Sequence, residues 1–230
     1  MKKTLANGLP QLGLALPEER QDTLCAFGEA VIQQNKVMNL TAITEPEQVA
    51  KLHLLDSLSL LTLEDLKGKK IIDVGCGAGF PGVPVKIACP ETKLTLLDSL
   101  GKRMQWLETV LPALGVEAEC VTARAEEAVQ TRRETYDIAT SRAVARLNIL
   151  LELTAPYVKV GGKVLAMKGT AAREELDEAK NAIAKLGLKL ERVAEFPVDG
   201  TAHTVIVLKK VSHTPAQYPR RFAKIKQSPL

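Results

Sequence analysis

Apolar residues fall along this chain in two rhythms, and the change between them comes near residue 67. Residues 17 to 66 read as helical. Leu24, Phe27 and Val31 recur at i, i+3 and i+7, and a second stripe runs through Val49, Leu52, Leu55 and Leu58, with no strand pattern between them. Thr44 stands three residues before Glu47, with Pro46 between them, which predicts a capping box opening the second helix. Asn39-Leu40-Thr41 links the two helices.

From Lys69 short apolar runs alternate with helical stretches, as in the βαβ units of a doubly wound sheet. Seven strands are predicted, at about 70–75, 93–98, 117–122, 136–141, 162–167, 188–195 and 203–209. Between them, a helix over 82–89 stops before Pro90, and one over 101–114 turns Met104, Leu107, Leu111 and Leu114 inward and ends at Gly115. Two more are predicted over 144–157 and, highly charged, over 171–186. The division expected is a helical N-terminal extension over 1–66 packed on the core, a Rossmann-like domain over 67–211 and a C-terminal tail over 212–230.

Composition agrees with an α/β chain. Of 230 residues 46% are hydrophobic and only 3% aromatic, so the core is built from Leu, Val, Ile and Ala, as in helix-flanked parallel sheets. Cys25, Cys76, Cys89 and Cys120 form no Cys-x-x-Cys pair and have no clustered His. Reduced thiols, a cytoplasmic location and no metal are therefore expected. No run approaches the length of a membrane span, and Met1-Lys2-Lys3 opens no export signal. The formal net charge of +4 is equalled by Arg220, Arg221, Lys224 and Lys226 at the C-terminus, where no acid follows. With Tyr218 and Phe222 interleaved, this basic end is a candidate RNA-contacting arm.

The chemistry concentrates after the first strand. Ile71-Ile72-Asp73-Val74 runs into glycines at 75, 77 and 79, which let backbone amides approach a ligand and open a helix. A dinucleotide fingerprint would need glycine at position 80, where Phe80 stands; the Asp-x-Gly-x-Gly-x-Gly form instead resembles motif I of class I methyltransferases, which implies S-adenosylmethionine, with Asp73 suited to its ammonium group. Asp98, at the end of the second strand, is placed to accept the ribose hydroxyls, a device shared with NAD enzymes. Backbone groups of Ala125 and Glu126, past the third strand, could read the adenine edge.

The acceptor follows from what is missing. No cysteine lies at the ends of strands four and five to attack cytosine, and no Asn/Asp-Pro-Pro-aromatic turn follows strand four to present an amino group. Guanine N7 needs neither, because its lone pair lies in the plane of the ring, and alignment beside a cation suffices. Arg142 is the candidate cation, and Lys168, His53 and Asp56 stand near it in the reading, each open to a plain structural role.

The ordered set Asn39-Leu40-Thr41, His53-x-x-Asp56-Ser57-Leu58, Asp73 to Gly82, Leu96-Leu97-Asp98-Ser99, Lys102-Arg103, Arg124-Ala125-Glu126, Ser141-Arg142-Ala143-Val144 and Lys168-Gly169 resembles the bacterial 16S ribosomal RNA guanine-N7 methyltransferase G family, also called glucose-inhibited division protein B. The resemblance implies a class I S-adenosylmethionine-dependent methyltransferase, with a Rossmann-like seven-stranded sheet and a helical N-terminal extension. It implies methylation of N7 of one guanine in 16S RNA of the small ribosomal subunit. It also implies cofactor contacts at Gly75, Phe80, Asp98, Ser99, Leu100, Ala125, Glu126 and Arg142, to which the loop adds Asp73, Gly77 and Gly79. Lys102, Arg103, Arg220, Arg221, Lys224 and Lys226 are the RNA-contact candidates, and a monomer is expected. Relatives in this family often carry a Gly/Pro-rich stretch near the C-terminus; here Phe222-Ala223-Lys224-Ile225 takes its place. A different acceptor, or a ribosome-binding protein without turnover, remains the alternative.

Overall fold

Apolar residues that alternate in and out along five parallel strands place helices on both faces of a central sheet. The computed structural model describes residues 1–198 and 201–230. Strands β1 (Lys70–Val74), β2 (Lys93–Asp98), β3 (Glu119–Thr122), β4 (Tyr136–Arg142) and β5 (Val158–Lys168) run parallel. The hairpin of β6 (Leu188–Val198) and β7 (Thr201–Lys210) adds β7 antiparallel to β5, giving the order β3-β2-β1-β4-β5-β7-β6. The order reverses between β1 and β4, and the crevice at the carboxyl ends of these two strands is where open α/β sheets bind ligands.

Ile71, Leu94, Leu96, Ile138 and Leu165 face one layer, with Phe27, Val83, Met104 and Leu107. Their neighbours Ile72, Leu97, Ala139, Val164 and Ala166 face the other, with Leu147, Leu150, Leu151 and Ala182. The helices over the first layer include α5 (Gly82–Ala88) and α6 (Gly101–Ala113). Over the second lie α7 (Ala125–Arg132), α8 (Leu147–Thr154) and the pair α9 (Ala172–Glu178) and α10 (Lys180–Lys185). The helix predicted over 144–157 thus starts three residues later and tightens to a 3-10 turn at Ala155–Tyr157. The one predicted over 171–186 breaks at Ala179, where the backbone leaves helical geometry at φ −84°, ψ 1°.

The N-terminal extension differs more. An unanticipated helix, α1 (Lys2–Gln11), buries Leu5, Gly8 and Leu9, and α2 (Glu18–Asn35) buries Leu24, Phe27 and Val31 as the stripe predicts. The second predicted helix is four short pieces: α3 (Pro46–Val49), a π-helical stretch Ala50–Leu55, α4 (Asp56–Leu58) and a 3-10 turn Ser59–Thr62. Its capping box does not form: Glu45 is the N-cap and no side chain caps it, so Pro46, which has no amide hydrogen to leave unpaired, starts the helix. π-helical turns are rare and recur at functional sites.

The C-terminal tail is ordered against the domain. Residues 212–230 pack back on the domain: the Arg133 guanidinium holds the carbonyls of Thr214, Pro215 and Tyr218, and α11 (Phe222–Gln227) buries Ile225. All four cysteines are free thiols, and no helix among the described residues is long and apolar enough to cross a membrane.

Candidate functional site

The glycine loop leaves β1 with its amides turned onto β2. Gly75 N–H donates to the Leu97 carbonyl at 2.7 Å, and Gly77 N–H donates to Asp98 Oδ2 at 3.0 Å. Leu100 N–H donates to the other carboxylate oxygen, Oδ1, at 2.9 Å. Asp98 is buried, yet each of its oxygens can accept a further hydrogen bond. It forms one wall of a cavity of about 290 Å³ whose other lining includes Gly75, Ser99, Ala125, Glu126 and Val144. Gly75 has φ +72°, and a Cβ there would stand 2.4 Å from Val144, so only glycine leaves this part of the cavity open.

A second cavity, of about 700 Å³, opens beside the first, and Ala143 and Val144 border both. Ala143 is held at φ +56°, a strained conformation for a residue with a Cβ and of the kind that gathers at functional sites. Ser141 ties the end of β4 to β1 by donating from Oγ to the Val74 carbonyl at 2.6 Å.

Arg142 follows and is fixed on three sides. Its Nη1 donates to the Leu52 carbonyl at 2.8 Å and to Asp56 Oδ2 at 3.0 Å, and its Nη2 lies 3.0 Å from His53 Nδ1. The Phe80 ring lies beneath the guanidinium at 5.1 Å and beside His53 at 4.7 Å. Asp56 in turn holds His203 Nδ1 at 2.8 Å through Oδ1. The π-helical stretch therefore brings the Leu52 carbonyl and His53 to one guanidinium, with Asp56 at the start of the next piece.

His53 Nδ1 lies 3.0 Å from two opposed partners, the Arg142 Nη2 donor and the Leu52 carbonyl acceptor, and its Nε2 lies 2.9 Å from Thr41 Oγ1. Burial, and then the Arg142 charge, push the imidazole down to about 4. His53 is neutral at neutral pH. The unfolded chain takes up this proton near 6.5, so the folded state loses stability as pH falls from about 6.5 to about 4, with no further loss below. Between about pH 7 and pH 4.5 the wild type is expected to lose about 2 kcal/mol more than His53→Gln in urea unfolding. Equal losses would remove His53 from the pH response. His203 shifts the other way, raised by its bond to Asp56.

The predicted catalytic residues Arg142, His53, Asp56 and Lys168 all line the second cavity. Lys168 Nζ is committed there, to the Ala145 carbonyl and to Glu175 at 2.8 Å, and Glu175 also caps α8 through Leu147 N–H. Of the predicted cofactor residues, Gly75, Asp98, Ser99, Ala125 and Glu126 line the first cavity, while Gly77 and Leu100 steady Asp98.

Three others lie beneath the surface. Asp73 is fully buried and accepts from Gly82 N–H at 2.8 Å; its Oδ1 has no partner among the described residues, and burial pushes the carboxyl up to about 7. Gly79 is packed against Val83, Leu107 and Phe27, and the Phe80 ring borders neither cavity because it is stacked under Arg142. Among the basic candidates, Arg220 is spent internally, its guanidinium 2.6 Å from Glu152, which is fully buried on α8. Arg103 lines the first cavity, and Lys102, Arg221, Lys224 and Lys226 are exposed. The sequence holds no sign of His203, Arg146 and Glu175 in the second cavity or of Leu153 in the first, and it points to Phe222 only as part of an RNA-contacting arm. Among the described residues no cluster of His, Cys, Asp and Glu could hold a metal ion.

Comparison with known proteins supplies the rest. A family model described as rRNA small subunit methyltransferase G matches residues 20–203. A protein of that name from Alkaliphilus metalliredigens is 43% identical over 235 residues, covering 100% of this chain and 98% of its own. One from Caldanaerobacter subterraneus is 44% identical over 232 residues, covering 98% and 97%. Among solved structures, TrmN from Thermus thermophilus is similar with a TM-score of 0.55 at 19% identity, over 68% of this chain and 48% of its own. A 16S rRNA (adenine(1408)-N(1))-methyltransferase from Catenulisporales acidiphilia, solved with its cosubstrate, gives 0.53 at 16%, over 65% and 88%.

Proposed function

The chain belongs to the rRNA small subunit methyltransferase G family, and from that premise we propose that the first cavity holds S-adenosylmethionine and the second a guanine of 16S ribosomal RNA, methylated at N7. The protein is an S-adenosylmethionine-dependent methyltransferase of small-subunit ribosomal RNA. The observation that carries the finer reading is the junction of the two cavities at Ala143 and Val144, with Arg142 at its edge.

The residues suit the cofactor. Gly75 leaves space that any Cβ would fill, and Asp98 keeps acceptor capacity for two hydroxyls after binding the loop amides. When bound, S-adenosylmethionine supplies a methyl group on a positively charged sulfur. The residues of the chain align and shield. Among the described residues Arg142 has its Nε–H and one Nη2–H uncommitted, donors suited to the acceptor edge of guanine.

Two of the acid-base groups lining the second cavity are already engaged. His53 is neutral with Nδ1 engaged, and Asp56 is divided between Arg142 and His203. Guanine N7 has no proton to lose, so transfer to it needs none of these groups as a base. The exposed Arg221, Lys224 and Lys226 supply phosphate contacts, and a cytoplasmic monomer acting on ribosomal particles is the form we propose.

The test uses isotopically labelled S-adenosylmethionine and small ribosomal subunits that lack the modification, followed by digestion to nucleosides and mass spectrometry. Label in 7-methylguanosine is the expected outcome. Label in any other nucleoside would overturn the N7 assignment and leave the family intact.

A further inference from the structure

The C-terminal segment contributes to the lining of the first cavity. Phe222, at the start of α11, lines that cavity together with Ala123, Ala125 and Leu153, and it is the only aromatic ring lining it among the described residues. Its position is held from both sides. Two residues earlier, Arg220 donates its backbone N–H at 2.8 Å and its guanidinium at 2.8 and 2.6 Å to Glu152, which is fully buried. Three residues later, Ile225 is also fully buried. Glu152 adjoins Leu153 on α8, so one helix supplies a wall of the cavity and the anchor of the segment that covers it.

We propose that Phe222 is a cofactor-binding residue, its ring stacking on the adenine of S-adenosylmethionine, so that the C-terminal segment completes the nucleoside site. This rests on the reading of the first cavity as the cofactor site. Ala143 and Val144, which border the acceptor cavity as well, mark the part of the first cavity that takes the reactive group, which leaves the base toward Ala125, Leu153 and Phe222. Any base offers a π face, and an aromatic ring against it is sequence-tolerant and strong. The basic side chains of the segment, Arg221, Lys224 and Lys226, stay exposed, with Lys226 Nζ standing 5.9 Å over the Phe222 ring, so a single short helix would serve both cofactor and RNA.

The experiment is calorimetric titration of the full-length protein with S-adenosylhomocysteine and with 5′-methylthioadenosine, which lacks the amino-acid part. Phe222→Ala should weaken both by the same factor, roughly five- to a hundredfold, while Phe222→Tyr stays within about twofold of the wild type. The melting temperature of the ligand-free variants should be unchanged, and Arg221→Ala with Lys224→Ala should leave both affinities unaltered. Affinity of Phe222→Ala within about twofold of the wild type, or equal weakening by Phe222→Ala and the basic-residue double variant, overturns the proposal. A wild-type protein that binds neither compound overturns the cofactor reading itself, a result separate from any difference among variants.

Discussion

Replacing Arg142 by alanine is expected to reduce methyl transfer to small ribosomal subunits by about a hundredfold or more, equivalent to about 2.7 kcal/mol of transition-state stabilisation. The guanidinium is the point where the N-terminal extension, the end of β4 and the acceptor cavity meet. Removing it leaves one side of Asp56 unpaired in a mostly buried place, so some stability is lost as well. Arg142→Lys separates the two effects. It keeps the charge beside Asp56 but cannot reach the Leu52 carbonyl, Asp56 and His53 together, because an ammonium lacks the planar fork. Arg142→Lys should therefore melt within a few degrees of the wild type and still transfer methyl groups at least tenfold more slowly. Full activity in either variant would return Arg142 to a purely structural role, and a fall in activity that tracks the melting temperature in both would do the same.

The parts of this site that were legible in the sequence are those written within one strand and the loop after it. Asp73 to Gly82, Asp98 and Arg142 each sit at the carboxyl end of a strand whose apolar run is plain, so their placement at one edge of the sheet follows from parallel topology alone. What was not legible depends on long-range packing. Nothing around His203 hints that β7 carries it to Asp56, 147 residues away. The π-helical turn at Ala50–Leu55 leaves no mark in a stripe that reads equally well as α-helix.

The helix α1 did leave one: Leu5, Gly8 and Leu9 are spaced i, i+3, i+4, but a polar start and Pro10 obscure it. Arg220 was misjudged because a run of basic residues at a chain end reads as solvated when its buried partner, Glu152, lies 68 residues upstream inside an apolar helix. Phe222 illustrates the reverse case. Its departure from the usual Gly/Pro-rich stretch was visible, and only the packing of α11 onto α8 gives that departure a place beside the nucleoside cavity.

Asp98→Ala is expected to weaken S-adenosylhomocysteine binding by about a hundredfold or more, with a smaller loss of stability. Two losses combine. The ribose hydroxyls forgo a charged acceptor, worth about 1.5–3 kcal/mol for each hydrogen bond to an ionised group. The amides of Gly77 and Leu100 forgo the carboxylate that bridges the glycine loop to the turn after β2, so the walls of the cavity are no longer held in register.

Asp98→Asn distinguishes the two losses. Its amide preserves shape, but one of its two terminal atoms becomes a donor and must face either Gly77 N–H or Leu100 N–H, both donors themselves. If the loop bridge dominates, Asp98→Asn should bind nearly as weakly as Asp98→Ala and should melt earlier than the wild type in the absence of ligand. If the ribose contact dominates, Asp98→Asn should melt like the wild type and recover part of the affinity through its remaining oxygen. Because both oxygens are already engaged by backbone amides before any ligand arrives, the first outcome is the one expected. Calorimetric affinity of Asp98→Ala close to that of the wild type would mean that this cavity does not hold the ribose.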